Sequence, residues 1–479
     1  MNYEPVIGLE VHVQLKTRTK VFCGCSTEFG MEPNSQVCPV CLGFPGALPV
    51  LNKTALEYSI KVGIALNCTV QEFTKFDRKH YYYPDLPKNF QISQYDLPVS
   101  KDGYLDIAVA DRTRRIGIRR AHLEEDAGKL IHKEDKSLVD LNRTGQPLLE
   151  IVTEPDIHTP EEAYAYLTAL KSIIQYVGVS DCDMEKGTLR CDANISVRPE
   201  GSTGLGTKSE LKNLNSFKAV KDALQYEIER HKETLGNNEQ IVQETRLWDE
   251  KSGRTIAMRS KEEAKDYRYF PEPDLPPFVI SQQQIQELKK SIPELPQEKK
   301  LRFLKEYAGL TEKDAEILVA DKRKADDSEE KFKLWPDKNK KPVANWYIGA
   351  LTATAGTLNL QTYELPISSK AFLEIIELVE KKQALSNLAG KTVLEEVVRS
   401  GKTPAQIIQE KNLVQVSDES SLDGPIAEAI NENPKSVADF KAGKDNALMF
   451  LVGQVMKKTK GKANPKILQD ILKRRLTDA

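Results

Sequence analysis

The stretch VIGLEVHVQL, Val6 to Leu15, alternates strictly: Ile7, Leu9, Val11 and Val13 on one parity, Glu10, His12 and Gln14 on the other. In a β-strand this sets a carboxylate and an imidazole side by side on the face opposite the core. The same pattern returns in LRCDANISV, where Arg190, Asp192, Asn194 and Ser196 oppose Leu189, Cys191, Ala193, Ile195 and Val197. AHLEEDAGK adds His122, Glu124, Glu125 and Asp126, and LLEIVTEPD sets Glu150 between Leu149 and Ile151. If these strands share a sheet, Glu10, His12, Glu150, Asp192, Asn194 and one of Glu124 or Glu125 crowd one surface. So many acids repel each other unless a cation or neighbouring bases neutralise them. An oxygen-rich site with one imidazole suits Mg²⁺ or Mn²⁺. The competing arrangement is simple pairing with Lys79, Lys88 and the arginines between 112 and 120.

A second cluster is made of sulfur. FCGCSTEFGMEPNSQVCPVC gives Cys23-x-Cys25, a gap of twelve residues, then Cys38-x2-Cys41. Two close thiol pairs across a Gly/Pro/Asn-rich loop are the spacing of a tetrahedral zinc site, and four protein ligands leave no open position for chemistry. A redox pair at CPVC leaves Cys23 and Cys25 unexplained. Cys68, Cys182 and Cys191 are isolated and read as core residues.

Cations are interleaved with aromatics in KFDRKHYYYPDLPKNFQISQ, which holds Lys75, Arg78, Lys79, Lys88, Tyr81, Tyr82, Tyr83 and Phe90. That mixture suits phosphate contacts and base stacking, or aromatic core packing. No Walker A loop and no G-x-G-x-x-G is present, and GSTGLG at 201–206 reads as a turn. Between Met456 and Arg475 eight Lys or Arg face a single acid, Asp470. A positive edge within a chain of net charge −2 points to local contact with nucleic-acid phosphates.

Elements must hold these groups in place. At 479 residues the chain exceeds one core, and two to four domains are expected. Residues 1–292 read as mixed α/β, with strands at VIGLEVHVQL, YLDIAVA, RRIGIRR, LLEIVTE and LRCDANISVRP. One helix follows Thr159, with Pro160 first, Glu162 completing a capping box, an apolar stripe of Tyr164, Leu167, Leu170, Ile174 and Val177, and a stop at Gly178. A second runs from Ser216 to Gly236, with Phe217, Val220, Leu224 and Ile228 on one face. Beyond SIPELPQEKK strand patterns vanish. A helical domain over 293–408 and a helical tail over 409–479 are expected, with the charge run at 320–331 a solvated face or loop. MNYEPVIGLE lacks a basic region leading into an apolar run, and no stretch reaches membrane-spanning length, so a cytoplasmic location is expected.

Together, IGLEVHVQL, KFDRKHYYYPDLPKNFQISQ, HLEEDAGK, DLNRTGQPLLEIVTEPD, LRCDANIS, ELKNLNSF, DYRYFPEPD and FLVGQVMKKTKGKANP resemble the B subunits of bacterial aspartyl/glutamyl-tRNA(Asn/Gln) amidotransferases, end to end. The resemblance implies an α+β cradle-like catalytic domain, then an all-α helical domain and a small YqeY-like tail that binds tRNA. It implies ATP- and Mg²⁺-dependent phosphorylation of the side chain of glutamate or aspartate on a mischarged tRNA, then amidation. Glu10, His12, Glu125 and Glu150 become the Mg²⁺ ligands it suggests. Asp192 and Asn194 would hold a second ion or its waters, and Lys79 and Lys88 would stabilise the phosphoryl group or line an ammonia path. Lys457, Lys458, Lys460 and Lys462 become the tRNA contacts. The cysteine pairs occur in only some members, so zinc at Cys23, Cys25, Cys38 and Cys41 rests on spacing. No glutaminase nucleophile system is visible. Ammonia is therefore expected from a partner, and the resemblance implies an amidase-type A subunit as that source, with a small C subunit completing a heterotrimer. A non-catalytic tRNA-binding scaffold with a structural zinc is the competing reading.

Overall fold

The N-terminal alternation becomes one strand, Tyr3–Gln14. Ile7, Leu9, Val11 and Val13 are wholly buried. At about 1.5–3 kcal/mol per buried aliphatic side chain, a one-residue slip would expose all four and drive Glu10 and His12 into the core. The register is thereby set. The computed structural model describes residues 2–110, 112–258, 267–414, 419–459, 463 and 465–477.

Tyr3–Gln14 lies inside a nine-stranded sheet. The order across it is Arg254–Ala257, Glu244–Asp249, Ser209–Lys212, Leu189–Pro199, Tyr3–Gln14, Pro147–Thr153, Arg112–Glu125, Ser100–Val109 and Thr69–Val70. Pairing is antiparallel except between Ser209–Lys212 and Glu244–Asp249, which makes the sheet mixed. The core face is covered by the helices Lys53–Ala65, Pro160–Val177 and Phe217–Gly236. A small sheet of Phe270–Pro271, Asp77–His80 and Phe90–Ser93 carries Lys79.

The helix ends follow the sequence signals, with two corrections. Thr159 caps Pro160–Val177 by accepting from the Glu162 amide, and Gly178 ends it at φ +80°. The Glu162 carboxylate, however, accepts from His158 N–H at 2.7 Å instead of closing the box on Thr159. Tyr164 is exposed; the buried stripe runs through Ala163, Tyr166, Leu167, Leu170, Ile173 and Ile174. Helix Phe217–Gly236 is capped by Ser216 and buries Val220, Leu224 and Ile228 as expected.

The chain separates into two compact units, Met1–Pro296 and Gln297–Ala479. The described part of the second unit is helical, and residues between Leu422 and Leu476 form an apolar cluster of their own. The expectation of a solvated charge run at 320–331 holds for Arg323, Asp326 and Glu330, which are exposed, and is corrected for two of its charges. Lys331 and Glu329 are buried in helix Lys322–Leu334. Lys331 pairs with Asp327, while Glu329 accepts from Arg302 at 2.7 Å and from the Tyr307 hydroxyl at 3.0 Å. A helix of charged composition can bury one face when each buried charge has a partner. Among the described residues no helix is long and apolar enough to cross a membrane.

Candidate active site and metal centre

Register across four strands gathers the polar face. His12 stands opposite Glu150 on one side and Arg190 on the other, and Glu150 stands opposite His122. His12 Nε2 lies 3.4 Å from Glu150 and 3.8 Å from Glu124. His122 Nε2 lies 3.4 Å from Glu150 and 3.5 Å from Glu124. Two imidazoles thus face two carboxylates in one small group. The donor atoms of His12, Glu124 and Glu150 lie within 4.8 Å of one another, a nitrogen-and-oxygen set that fits a hard divalent cation.

The electrostatics reflect that crowding. Burial disfavours charge on Glu150, yet His122 and His12 outweigh it and hold the carboxyl well below its usual range. Glu124 is lowered against burial by its bond to His122. For His122, burial opposes the cation, but Glu150 and Glu124 push the imidazole up to about 9. His12 is raised in the same sense, Glu150 overcoming burial. The pocket therefore keeps its carboxylates ionised and draws positive charge toward them.

Glu125 does not join this group; Glu124 does. The strand Arg112–Glu125 continues through both, so the pleat sends them to opposite faces. Glu125 ion-pairs with Lys88 and accepts from the Ile92 amide at 2.9 Å. Parity selects Glu124 only when the strand runs on through it, and the local alternation does not show where that strand ends. His122 shares the parity of Glu124 and belongs to the group, although the metal set expected from the sequence leaves it out.

Lys79 approaches the group from the small sheet. Burial opposes its charge, and Glu124, Tyr269 and Glu150 raise it nonetheless. Its Nζ sits 4.8 Å from the centre of the Tyr267 ring.

Glu10, expected among the Mg²⁺ ligands, is not in the group of His12, Glu124 and Glu150 and instead forms an adjoining patch with Asp192 and Asn194. Asn194 Nδ2 donates to Glu10 at 2.9 Å, Lys208 donates to Asn194 Oδ1 at 2.9 Å, and Lys212 bridges Asp192 and Glu210 at 2.8 and 3.0 Å. Burial raises Glu10, and Glu150 adds to it. Glu210 and Lys212 come from the short strand Ser209–Lys212, whose brevity hides them in the sequence. Glu10, Asn194 and Lys208 also line an open cavity of about 390 Å³ together with Leu205, Gly206 and Thr207. Within GSTGLG, Gly206 lies so close to the Val197 carbonyl oxygen that a side chain there would collide with it.

The four cysteines converge. Cys23, Cys25, Cys38 and Cys41 have sulfurs within 4.8 Å of one another. Cys38 and Cys41 are 3.9 Å apart, close to the roughly 3.8 Å between corners of a tetrahedron with 2.3 Å metal–sulfur bonds. The Cys38 amide donates to Cys41 Sγ at 3.1 Å, and the buried Lys20 ammonium lies 3.7 Å from it. The bond from Cys23, with these two groups, holds the Cys41 thiol down to about 4. A thiolate is favoured before any metal arrives.

In the tail, Lys458 pairs with Glu428 at 3.0 Å and Glu432 at 2.8 Å. Lys457 lies in the same last helical turn. Lys460 and Lys462 lie outside the described residues.

Residues 5–286 match the GatB/GatE catalytic domain and residues 326–476 the GatB domain. The chain is 55% identical over 479 residues to the B subunit of the aspartyl/glutamyl-tRNA(Asn/Gln) amidotransferase of Carboxydothermus hydrogenoformans, covering 99% of each chain. It is 54% identical over 478 residues to that of Caldanaerobacter subterraneus subsp. tengcongensis, covering 100% of each. Similarity to the protein of the same name from Persephonella marina is 54% over 472 residues, 98% of this chain and 99% of that one. The chain therefore belongs to the family of aspartyl/glutamyl-tRNA(Asn/Gln) amidotransferase B subunits, and is one component of a ligase-type tRNA amidotransferase.

Proposed function

We propose that this chain activates and amidates the side chain of glutamate on tRNA(Gln), of aspartate on tRNA(Asn), or of both, at the face that carries His12, Glu124 and Glu150. The convergence of those three side chains from three strands carries the reading. A carboxylate resists nucleophiles because its charge repels them and oxide will not leave. Transfer of the γ-phosphoryl group of ATP to a carboxylate oxygen releases ADP and supplies a leaving group. Ammonia then attacks the carbonyl carbon, phosphate departs, and the amide remains.

Bound Mg²⁺ would screen phosphate charge during transfer. On this chain Glu124 and Glu150 would hold it as ionised carboxylates, and His12 would join them as the neutral imidazole, giving up its proton to do so. Glu10 with Asp192 and Asn194 would hold a second ion or its waters. Lys79, facing Glu124 and Glu150, is positioned to neutralise the transferring phosphoryl group. Lys88, held by Glu125, lines the proposed ammonia path. The four thiols would bind a structural Zn²⁺ that orders the loop. Ammonia would come from an amidase-type A subunit, with a small C subunit completing the heterotrimer. The helical regions 293–408 and 409–479 would bind tRNA, with Lys457, Lys458, Lys460 and Lys462 among the phosphate contacts. All of this fits a cytoplasmic enzyme of translation.

The test is single-turnover transfer of labelled γ-phosphate to mischarged tRNA by the assembled complex. Glu150→Ala should lower the rate by at least about a hundredfold and weaken Mn²⁺ binding read by magnetic resonance. An unaltered rate would leave the scaffold reading in its place.

A further inference from the structure

Beside the His12–Glu124–Glu150 group stands an aromatic wall that the chemistry above leaves without a task. Tyr95 and Tyr269 are stacked, ring centres 4.2 Å apart and planes 14° from parallel. Tyr267 meets Tyr269 edge-on at 6.2 Å, and Lys79 lies against Tyr267. A stack made only for packing would be covered, yet Tyr95 is 52% exposed.

The wall is tied to the site by charge. Arg120 is two residues before His122 on the same strand face, opposite Val152. It donates to the Tyr95 carbonyl at 3.4 Å. Its buried Nε has no partner among the described residues, an unmet donor of the kind a phosphate oxygen satisfies. Burial raises the Tyr269 hydroxyl, and Lys79, Glu124, Glu150 and Arg120 lie near enough to act on its charge. An exposed tyrosine, a guanidinium with an unmet donor and an ammonium therefore stand near the proposed phosphoryl-transfer centre.

We propose that the Tyr95–Tyr269 stack is the platform for an adenine ring, with Arg120 taking the phosphate or ribose edge next to it. This rests on the kinase reading. Adenine enters that reaction from two sources: the base of ATP and the terminal adenosine of the tRNA. A tyrosine face accepts either by stacking.

The experiment is equilibrium binding to the assembled complex, followed by fluorescence, with etheno-ATP in one arm and tRNA ending in 2-aminopurine in the other. Tyr95 is substituted by Ala, Phe and Trp. Its backbone amide and carbonyl bonds to Asp77 and Arg120 do not involve the ring, and a matched thermal midpoint verifies the fold. Tyr95→Ala should weaken one probe roughly ten- to a hundredfold and abolish the fluorescence quenching of stacking, with Tyr95→Phe and Tyr95→Trp restoring both. The arm affected identifies the source. Unchanged affinity and quenching in both arms overturns the platform alone. A wild-type complex that binds neither probe removes the kinase reading and the platform with it.

Discussion

Because successive side chains leave a strand on opposite faces, Glu124 meets His12, His122 and Glu150, while Glu125 turns to Lys88 and the Ile92 amide. The two glutamates should fail differently when altered. Glu124→Gln removes a proposed ligand and a negative charge from the site. It should reduce divalent-cation affinity about ten- to a hundredfold, with little change in the urea midpoint. Glu125→Gln leaves the buried Lys88 ammonium without its counter-ion. It should cost on the order of 3–5 kcal/mol while leaving Mn²⁺ affinity near that of the unaltered protein. The reverse pattern would return Glu125 to the metal group. Sequence alone narrows the choice to these two residues. What it lacks is where the strand ends, since alternation is informative only while the strand lasts.

At the scale of elements, long-range pairs fix how helices and strands meet. Glu227 on helix Phe217–Gly236 is fully buried; it pairs with Arg230 of the same helix and with Arg246 of the neighbouring hairpin, and accepts from Thr255 of that hairpin. Against burial, His231, Arg230 and Thr255 hold its carboxyl down to about 2. A depressed folded value stabilises above the unfolded value near 4.5, and that stability drains away as pH falls toward 2. Unfolding by urea at pH 7, 4 and 3 should show a declining midpoint. Glu227→Gln should start lower and decline less, and parallel declines would remove Glu227 as the cause.

The cysteine loop is a second such element. Metal analysis should find about one zinc per chain, and Cys38→Ser should lose it. Gly43, at φ +70°, lies against Lys88, where an added Cβ would meet Lys88 Cγ at 2.7 Å. Gly43→Ala should destabilise the first unit by about 1–3 kcal/mol, read by thermal unfolding, and an unchanged midpoint would show that the loop is free to move aside. Cysteine spacing announces the cluster; its packing on Lys88 joins residues 45 apart and has no local signature.

At the scale of the whole chain, tRNA affinity should depend on salt through the basic tail. Lys457→Ala should reduce the slope of log affinity against log salt by about 1. Lys458 is already shared between Glu428 and Glu432, so Lys458→Ala should change it less. Filter binding across a salt series decides, and equal slopes for all variants would remove the tail from the interface. The count of eight basic residues against one acid suggests a uniformly positive edge. Glu428 and Glu432, in the helix Glu419–Glu432, lie about 30 residues away in sequence and temper it.

The amino-acid sequence by itself determined which faces are apolar, where the helices begin, and that four thiols and several acids must each find a shared partner. These follow from the backbone's own repeat and from the cost of unpaired charge, both local or compositional. Only the tertiary structure decided that Arg190, His12, Glu150 and His122 form one row, that Glu124 rather than Glu125 closes the group, and that Tyr95 and Tyr269 stand beside it. Those neighbours come from strands and loops far apart in the chain, brought together by cross-strand register and by packing that no local pattern encodes.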